Sequence, residues 1–309
     1  MSFSTDIKEE LCELQSASAC CKKAEALGML VFGRNFSLAD ISFMTELNCV
    51  AMRYCNLIYE LTGVSPVIAY SKAGNHKVRI DKKEDRKKIL EFFGYTGKEV
   101  SLSINFGNFE NTDEEENCCY CAFVRGAFLV CGNITNPEKE YHLEFNISRM
   151  KLATEFLTVL NEINLKMKTL IRNNTKRVYC KESEAIEDCI GKIGATKSFF
   201  FLMETRAMKQ VKNKINRRTN FEAANLSRTI EAGIAQIELI EHILSKIKLT
   251  DMTEDLAELC TLRLENPEAS IDELGKMMST PLSRSAVSRR FKKLKDIKEE
   301  IDKRWKNSQ

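Results

Sequence analysis

Three groups of side chains in this sequence are equipped for chemistry. The first is thiol. Cys20-Cys21 and Cys118-Cys119-Tyr120-Cys121 are dense runs in a chain of 12 cysteines. Four thiolates at suitable distance bind zinc or an iron–sulfur cluster. The adjacent pair Cys20-Cys21 lacks the CxxC spacing of common sites, and the other reading is that these are small hydrophobes packed in a core. The second group is carboxylate. Asp113-Glu114-Glu115-Glu116 offers the hard oxygens that Mg²⁺ takes in phosphodiester cleavage; its other reading is a solvated linker. The third is cationic. Arg284, Arg289, Arg290, Lys292, Lys293, Lys295 and Lys298 crowd one short stretch against Asp296 alone. A second stretch carries Arg206, Lys209, Lys212, Lys214, Arg217, Arg218 and Arg228 against Glu222 alone. Clustered positive charge of this kind suits a polyanion; a solvated helix face is the alternative.

The elements that must position the first cationic stretch are legible. Asn266-Pro267 stops a helix running from about Met252 to Leu264. Ser270-Ile271-Asp272-Glu273 matches a capping box and starts the next, which ends near Met278. A short turn through Pro281 leads to a last helix beginning near Ser283, with Val287, Phe291, Leu294 and Ile297 at helical spacing. Two short helices joined by a tight turn, the second basic on its open face, make a helix-turn-helix. Ser283, Arg284, Ser285, Ser288 and Arg289 then fall where bases are read, since Arg pairs two donors with guanine and Ser contacts any base. Arg290, Lys292, Lys293 and Lys295 fall where phosphates are held. Upstream, one helix is expected over 198–220 and a second, amphipathic one from Asn225 to Ile247, with Ile230, Ile234, Ile237, Ile240 and Leu244 on its apolar side.

The first two-thirds of the chain repeats itself. ALGMLVFG (26–33) lies on RGAFLVCG (125–132) at an offset of 99, and ILEFFGY (89–95) lies on CIGKIGA (189–195) at an offset of 100, so that Gly94 meets Gly194. Val78 meets Val178 at the same offset. Each unit reads as helix, two strands, helix, two strands, helix. Gly74-Asn75 and Asn173-Asn174 suit the hairpin turns, and Gly94 and Gly194 suit left-handed helix ends. The two apolar helices should pair about a pseudo-twofold axis, with Gly28, Gly126 and Ala127 allowing close approach.

The duplicated pattern resembles the LAGLIDADG homing-endonuclease fold, with VRGAFLVCG (124–132) laid on the motif glycine to glycine. The resemblance implies a metal-binding acid just before each closing glycine. Those positions hold Phe32 and Cys131, and no Asp or Glu lies in 26–33 or 125–132. Cys131 is expected to pack as a buried thiol. With the C-terminal helix-turn-helix added, the whole chain resembles the WhiA family of bacterial DNA-binding regulators. The stretches that carry this are SFSTDIKEEL (2–11), RGAFLVCGNITNPEKEYHLEF (125–145), INRRTNFEAANLSRTIEAGIAQIELI (215–240) and NPEASIDELGKMMSTPLSRSAVSRRFKKL (266–294). The resemblance implies roles in transcription, sporulation, cell division or chromosome segregation. Asn216, Arg217 and Asn220 match a polar family signature at the domain junction. They either contact DNA backbone or fix the domains' pose, or else they cap a helix starting near Phe221.

Composition sets the frame. A chain of 309 residues, 43% apolar and 29% charged with net charge +3, is an ordinary globular protein with room for two domains. No apolar run approaches the roughly 18–20 residues of a membrane span, and the acidic, amphipathic N-terminus lacks signal-peptide features. No membrane partner and a cytoplasmic, nucleoid-associated location are therefore expected. The expected fold class is α+β: a duplicated αββαββα LAGLIDADG-like saddle domain, 1–205, with repeats at about 18–95 and 117–195. A basic connector, 206–224, leads to an all-α domain, 225–309, with the helix-turn-helix near 270–300. The leading function is a non-enzymatic, sequence-specific binder of double-stranded DNA, with no catalytic residue, metal or cofactor assigned. The saddle domain adds DNA contacts through basic hairpins such as Lys72–Lys77 and Arg172–Arg177, or binds a protein partner. An active nuclease using displaced carboxylates and a redox- or ligand-sensing regulator are the alternatives.

Overall fold

The structure is a computed structural model that describes residues 2–15, 18–70, 74–110, 117–172 and 175–306. The acidic run 113–116, Lys72 and the Asn173-Asn174 turn lie outside the described residues. The chain divides into two compact units, Met1–Lys209 and Gln210–Gln309.

The first unit opens with α1 (Phe3–Glu13), capped by Ser2. The first repeat follows: α2 (Ala19–Val31), β1 (Asn35–Phe36), β2 (Ile41–Thr45), α3 (Asn48–Thr62), β3 (Val67–Tyr70), β4 (His76–Arg79) and α4 (Lys83–Phe92). The second repeat is α5 (Cys118–Cys131), β5 (Gly132–Ile134), β6 (Leu143–Ile147), α6 (Met150–Glu162), β7 (Lys168–Arg172), β8 (Thr175–Cys180) and α7 (Ser183–Lys192). Each half forms a four-stranded antiparallel sheet, in the orders β1-β2-β4-β3 and β5-β6-β8-β7. The register pairs Phe43 with Val78 in one sheet and Phe145 with Val178 in the other, all buried against the helices. The αββαββα duplication is thus as the sequence offset implies. Gly94 and Gly194 sit at φ +74 and +98. Behind them Tyr95 and Ala195 return hydrogen bonds to Leu90 and Ile190, which closes both helices by the same glycine-dependent cap.

α2 and α5 pack so closely that only glycine fits at the contact. A Cβ on Gly28 would stand 2.4 Å from the Phe123 carbonyl oxygen, and one on Gly126 would stand 2.2 Å from that of Glu25. Both helices are buried nearly all round, as their continuous apolar character requires. α1 adds Ile7 and Leu11 to the same core.

One helix, α8 (Thr196–Leu244), replaces the two expected over 198–220 and 225–247. No glycine or proline interrupts 196–232, and Arg218 pairs with Glu222 at 2.9 Å across the expected break. Asn216 and Asn220 therefore stand in mid-helix, so the reading of them as caps is wrong. The apolar side of this helix is also less buried than its spacing implies. Ile230 and Ile234 are exposed, and of the apolar side chains expected to be buried over 225–247 the fully buried ones start at Leu239 and Ile240.

The second unit completes itself with α9 (Glu254–Glu265), α10 (Ile271–Met277) and α11 (Arg284–Lys306). Their core gathers Leu256, Leu259 and Cys260 with Leu274, Met278, Val287, Phe291 and Leu294, against Ile240 and Ile243.

Candidate nucleic-acid interface

The C-terminal helices are fixed by a small set of polar and steric contacts. The capping box at the start of α10 is formed: Glu273 N donates to Ser270 Oγ and Ser270 N to Glu273 Oε2, at 3.3 and 2.7 Å. At its end, Ser279 donates through N and Oγ to Glu258 of α9, at 2.5 and 2.9 Å. The turn then folds back onto α10. Leu282 N donates to Gly275 O at 2.8 Å, and a Cβ on Gly275 would meet Leu282 O at 2.4 Å. Arg263 secures the other side. It is 1% exposed and its Nη1 donates to the carbonyls of Asn266, Pro267 and Ala269, the last at 2.6 Å. Burial lowers its pKa, yet an arginine stays charged, so one cation organises the whole α9–α10 link.

α11 displays the expected basic face. Ser283 N-caps it, accepting from Ala286 N at 3.4 Å. At 100° per residue, Ser285, Ser288, Arg289 and Lys292 share one face, opposite the buried Val287 and Leu294. Lys293 and Lys295 flank that face on either side, and Arg284 flanks its first turn; all are exposed. Asp296 stands on the same face one turn beyond Lys292, so the cationic surface is confined to the N-terminal half of the helix. Arg290 departs from the expected phosphate-facing role. Its side chain is turned inward, 19% exposed, with Nη2 2.5 Å from Asp255 Oδ2. The reason is angular: position 290 falls toward the core side of the helix, where it ties α11 to α9. Asn216, Arg217 and Asn220 are exposed on α8.

In the first unit, the positions before the two motif glycines hold no oxygen ligand. Phe32 packs its ring on Phe123 and Phe156. Cys131 is half-buried rather than fully buried, and donates to Ala127 O at 3.2 Å. Burial pushes its thiol up to about 12. The cleft beside them is lined by Lys8, Arg34, Asn133 and Asn146, with no carboxylate among its lining residues. Arg149 donates to the carbonyls of Val31, Gly33 and Arg34 at the end of α2. Lys8 and Arg34 line the cleft, and a carboxylate bonded to its lining is Glu144, which accepts from Asn146 at 3.1 Å.

Both parts have relatives. Residues 120–212 match the family described as the WhiA LAGLIDADG-like domain, and residues 215–298 the WhiA C-terminal HTH domain. The chain is 33% identical over 313 residues to "Probable cell division protein WhiA" of Ruminiclostridium cellulolyticum, covering 98% of this chain and 99% of that one. It is 35% identical over 321 residues to the protein of that name from Clostridium acetobutylicum, at 98% and 99% coverage. The chain belongs to the WhiA family. The crystal structure of full-length DUF199/WhiA from Thermotoga maritima is similar along the whole length, with TM-score 0.60, 26% identity, and coverage of 97% of this chain and 99% of that chain.

Set within the WhiA fold, the sheet cations are partly engaged already. Arg177 lies 3.4 Å from Glu144 and Lys176 donates to Thr154 at 3.1 Å. The cysteine runs do meet: the sulfurs of Cys20, Cys21, Cys118 and Cys119 gather, and Cys121 is outside the group. Sequence reasoning missed three functional supports. Arg263 continues the spacing of Leu256, Leu259 and Cys260, which marks an arginine on a buried stripe. Gly275 is an isolated glycine inside a seven-residue helix, a sign of close backbone approach. Glu25 of α2 is fully buried, paired with Arg53 of α3 and, at 2.9 Å, with Arg125 of α5; nothing in its local sequence announces that convergence. No helix among the described residues is long and apolar enough to cross a membrane.

Proposed function

We propose that this chain is a non-enzymatic, sequence-specific DNA-binding regulator acting on transcription, with a role in cell division, chromosome segregation or sporulation. The observation that carries the reading is the exposed stripe Ser285, Ser288, Arg289 and Lys292 at the start of a helix held rigidly by its turn. A helix so presented enters a major groove with its first turns against base edges. Ser283, Arg284, Ser285, Ser288 and Arg289 are the base-facing set, although Ser283 also serves as the cap. Lys292, Lys293 and Lys295 hold phosphates, and Asn216, Arg217 and Asn220 contribute backbone contacts from the connector 206–224. The relatives' names support the link to cell division. The domain map is 1–205 for the LAGLIDADG-like part and 225–309 for the DNA-binding part, with the former free to engage further DNA or a protein partner.

The reading as a non-enzyme is supported by Phe32 and Cys131 in the acid positions and by Lys8, Arg34 and Arg149 around them. A Mg²⁺ site needs oxygen donors, and two-metal cleavage needs carboxylates to hold both ions. Arg289→Ala tests the reading. Affinity for the cognate site should fall by about 1–3 kcal/mol, the discrimination of one bidentate guanine contact, with little change on random DNA. Equal loss on both would make Arg289 a phosphate contact and move base reading elsewhere.

A further inference from the structure

The cysteines at the start of α2 and α5 meet across the pseudo-twofold axis. Each half supplies an adjacent pair from the first turn of its central helix: Cys20 and Cys21 from one, Cys118 and Cys119 from the other. The four sulfurs all lie within 4.8 Å of one another, and all four residues are buried. The adjacent spacing within each pair departs from common zinc motifs, which draw both ligands of a pair from one turn spaced CxxC. Here the fold does what spacing does elsewhere. The glycine contact at Gly28 and Gly126 draws the two helices together, and the pairs arrive from opposite sides.

We propose that Cys20, Cys21, Cys118 and Cys119 form a structural Zn²⁺ site that staples the two halves of the N-terminal unit. The distances select a single ion. Tetrahedral coordination with Zn–S of about 2.3 Å places ligand sulfurs roughly 3.8 Å apart. Cys118 and Cys119 already stand at 3.9 Å, and closing the remaining gaps takes side-chain rotation. An iron–sulfur cluster interposes several irons and sulfides between its cysteines, which needs a wider cage. Four protein ligands leave no open position, so the site is structural rather than catalytic. Burial opposes the charge it would carry, and the two helix starts offset part of that cost. Binding Zn²⁺ releases the thiol protons and leaves a net charge of two minus on the ion and its four thiolates. The N-termini of two helices, of 13 and 14 residues, point their positive dipole ends at that charge. Ser18, the cap of α2, accepts from Cys21 N and lies 3.3 Å from the Cys20 sulfur, which fixes one pair in place.

The test uses the full-length chain purified anaerobically under reducing conditions. Metal analysis and native mass spectrometry should find one Zn²⁺ per chain. Removal with a chelator should lower Tm, and Zn²⁺ alone should restore it. Co²⁺ added to the apo-protein should bind one to one with the visible absorption of a tetrahedral thiolate site. Cys20→Ser and Cys119→Ser should each abolish that absorption, while Cys121→Ser and Cys189→Ser leave it intact. The proposal is overturned by apo-protein whose Tm and spectrum ignore both ions. Iron in stoichiometric amount with sulfide would also overturn it, as would absorption that survives Cys20→Ser. So would a metal-free protein two mass units light, which would make the group a dithiol–disulfide pair. The chelator and restoration arm stands even if a variant fails to fold.

Discussion

At the residue scale, Glu25 is a fully buried carboxylate that joins three helices of the first unit through Arg53 and Arg125. Burial alone would raise its pKa, but hydrogen bonds and charge from Arg53 and Arg125 prevail and hold the carboxyl below its usual value. The same arginines extend the network to the carbonyls of Cys12, Leu14 and Ile193. Glu25→Gln leaves two buried guanidiniums without a counter-charge and should cost about 3–5 kcal/mol near neutral pH. The depressed pKa fixes the pH dependence. The carboxylate's contribution is fully present above the unfolded-state value near 4.5 and is lost as pH falls through the lower folded-state value. Melting curves of the wild type and Glu25→Gln should therefore converge toward acid; a gap independent of pH would contradict the role given to the charge. A second pair separates contact from support on α11. Lys292→Ala should reduce the slope of log affinity against log salt by about one. Arg290→Ala should leave that slope unchanged and lower stability by up to about 1 kcal/mol, the range for a partly exposed ion pair. Of these residues, Lys292 was legible as an exposed cation on the basic face of α11 from charge and spacing. Arg290 was not, because the sequence shows a charge but not the Asp255 it meets.

At the scale of elements, helical spacing and turn residues found the helix-turn-helix almost to the residue, because Pro267, the Ser270 box and Pro281 are strong local signals. They failed on α8. Asparagines at 216 and 220 resemble caps, but a cap requires the chain to leave helical geometry, and nothing in Arg217–Glu222 forces it to. The turn after α10 depends on a feature the sequence only hints at. Gly275→Ala would gain about 1 kcal/mol from helix propensity in an unobstructed helix. Here the added Cβ meets backbone, the Leu282 carbonyl, which cannot swing aside as a side chain does. The overpacking penalty of about 1–3 kcal/mol should win, lowering both the Tm of the C-terminal unit and its affinity for DNA. Unchanged melting and affinity would show the turn to be looser than its geometry implies.

At the scale of the molecule, duplication was the most legible property. An offset of 99 to 100 residues, read from glycines and apolar runs, became two sheets of identical strand order. What the offset did not show was how tightly the two halves are joined. That rests on contacts between residues distant in sequence: Gly28 with Phe123, Gly126 with Glu25, and the four gathered cysteines. The duplication builds the LAGLIDADG-like part of the chain. Its helix pair and sheets are present, while the two positions before the motif glycines are Phe32 and Cys131. The central claim is that this scaffold carries a reader of specific DNA. Its most direct test is binding of the intact protein to a pool of genomic DNA fragments at two salt concentrations with Mg²⁺ present. The expected result is enrichment of the same particular fragments at both salts, recovered uncut, with weaker binding at the higher salt. Uniform binding that vanishes at higher salt, or fragments recovered cleaved, would contradict it.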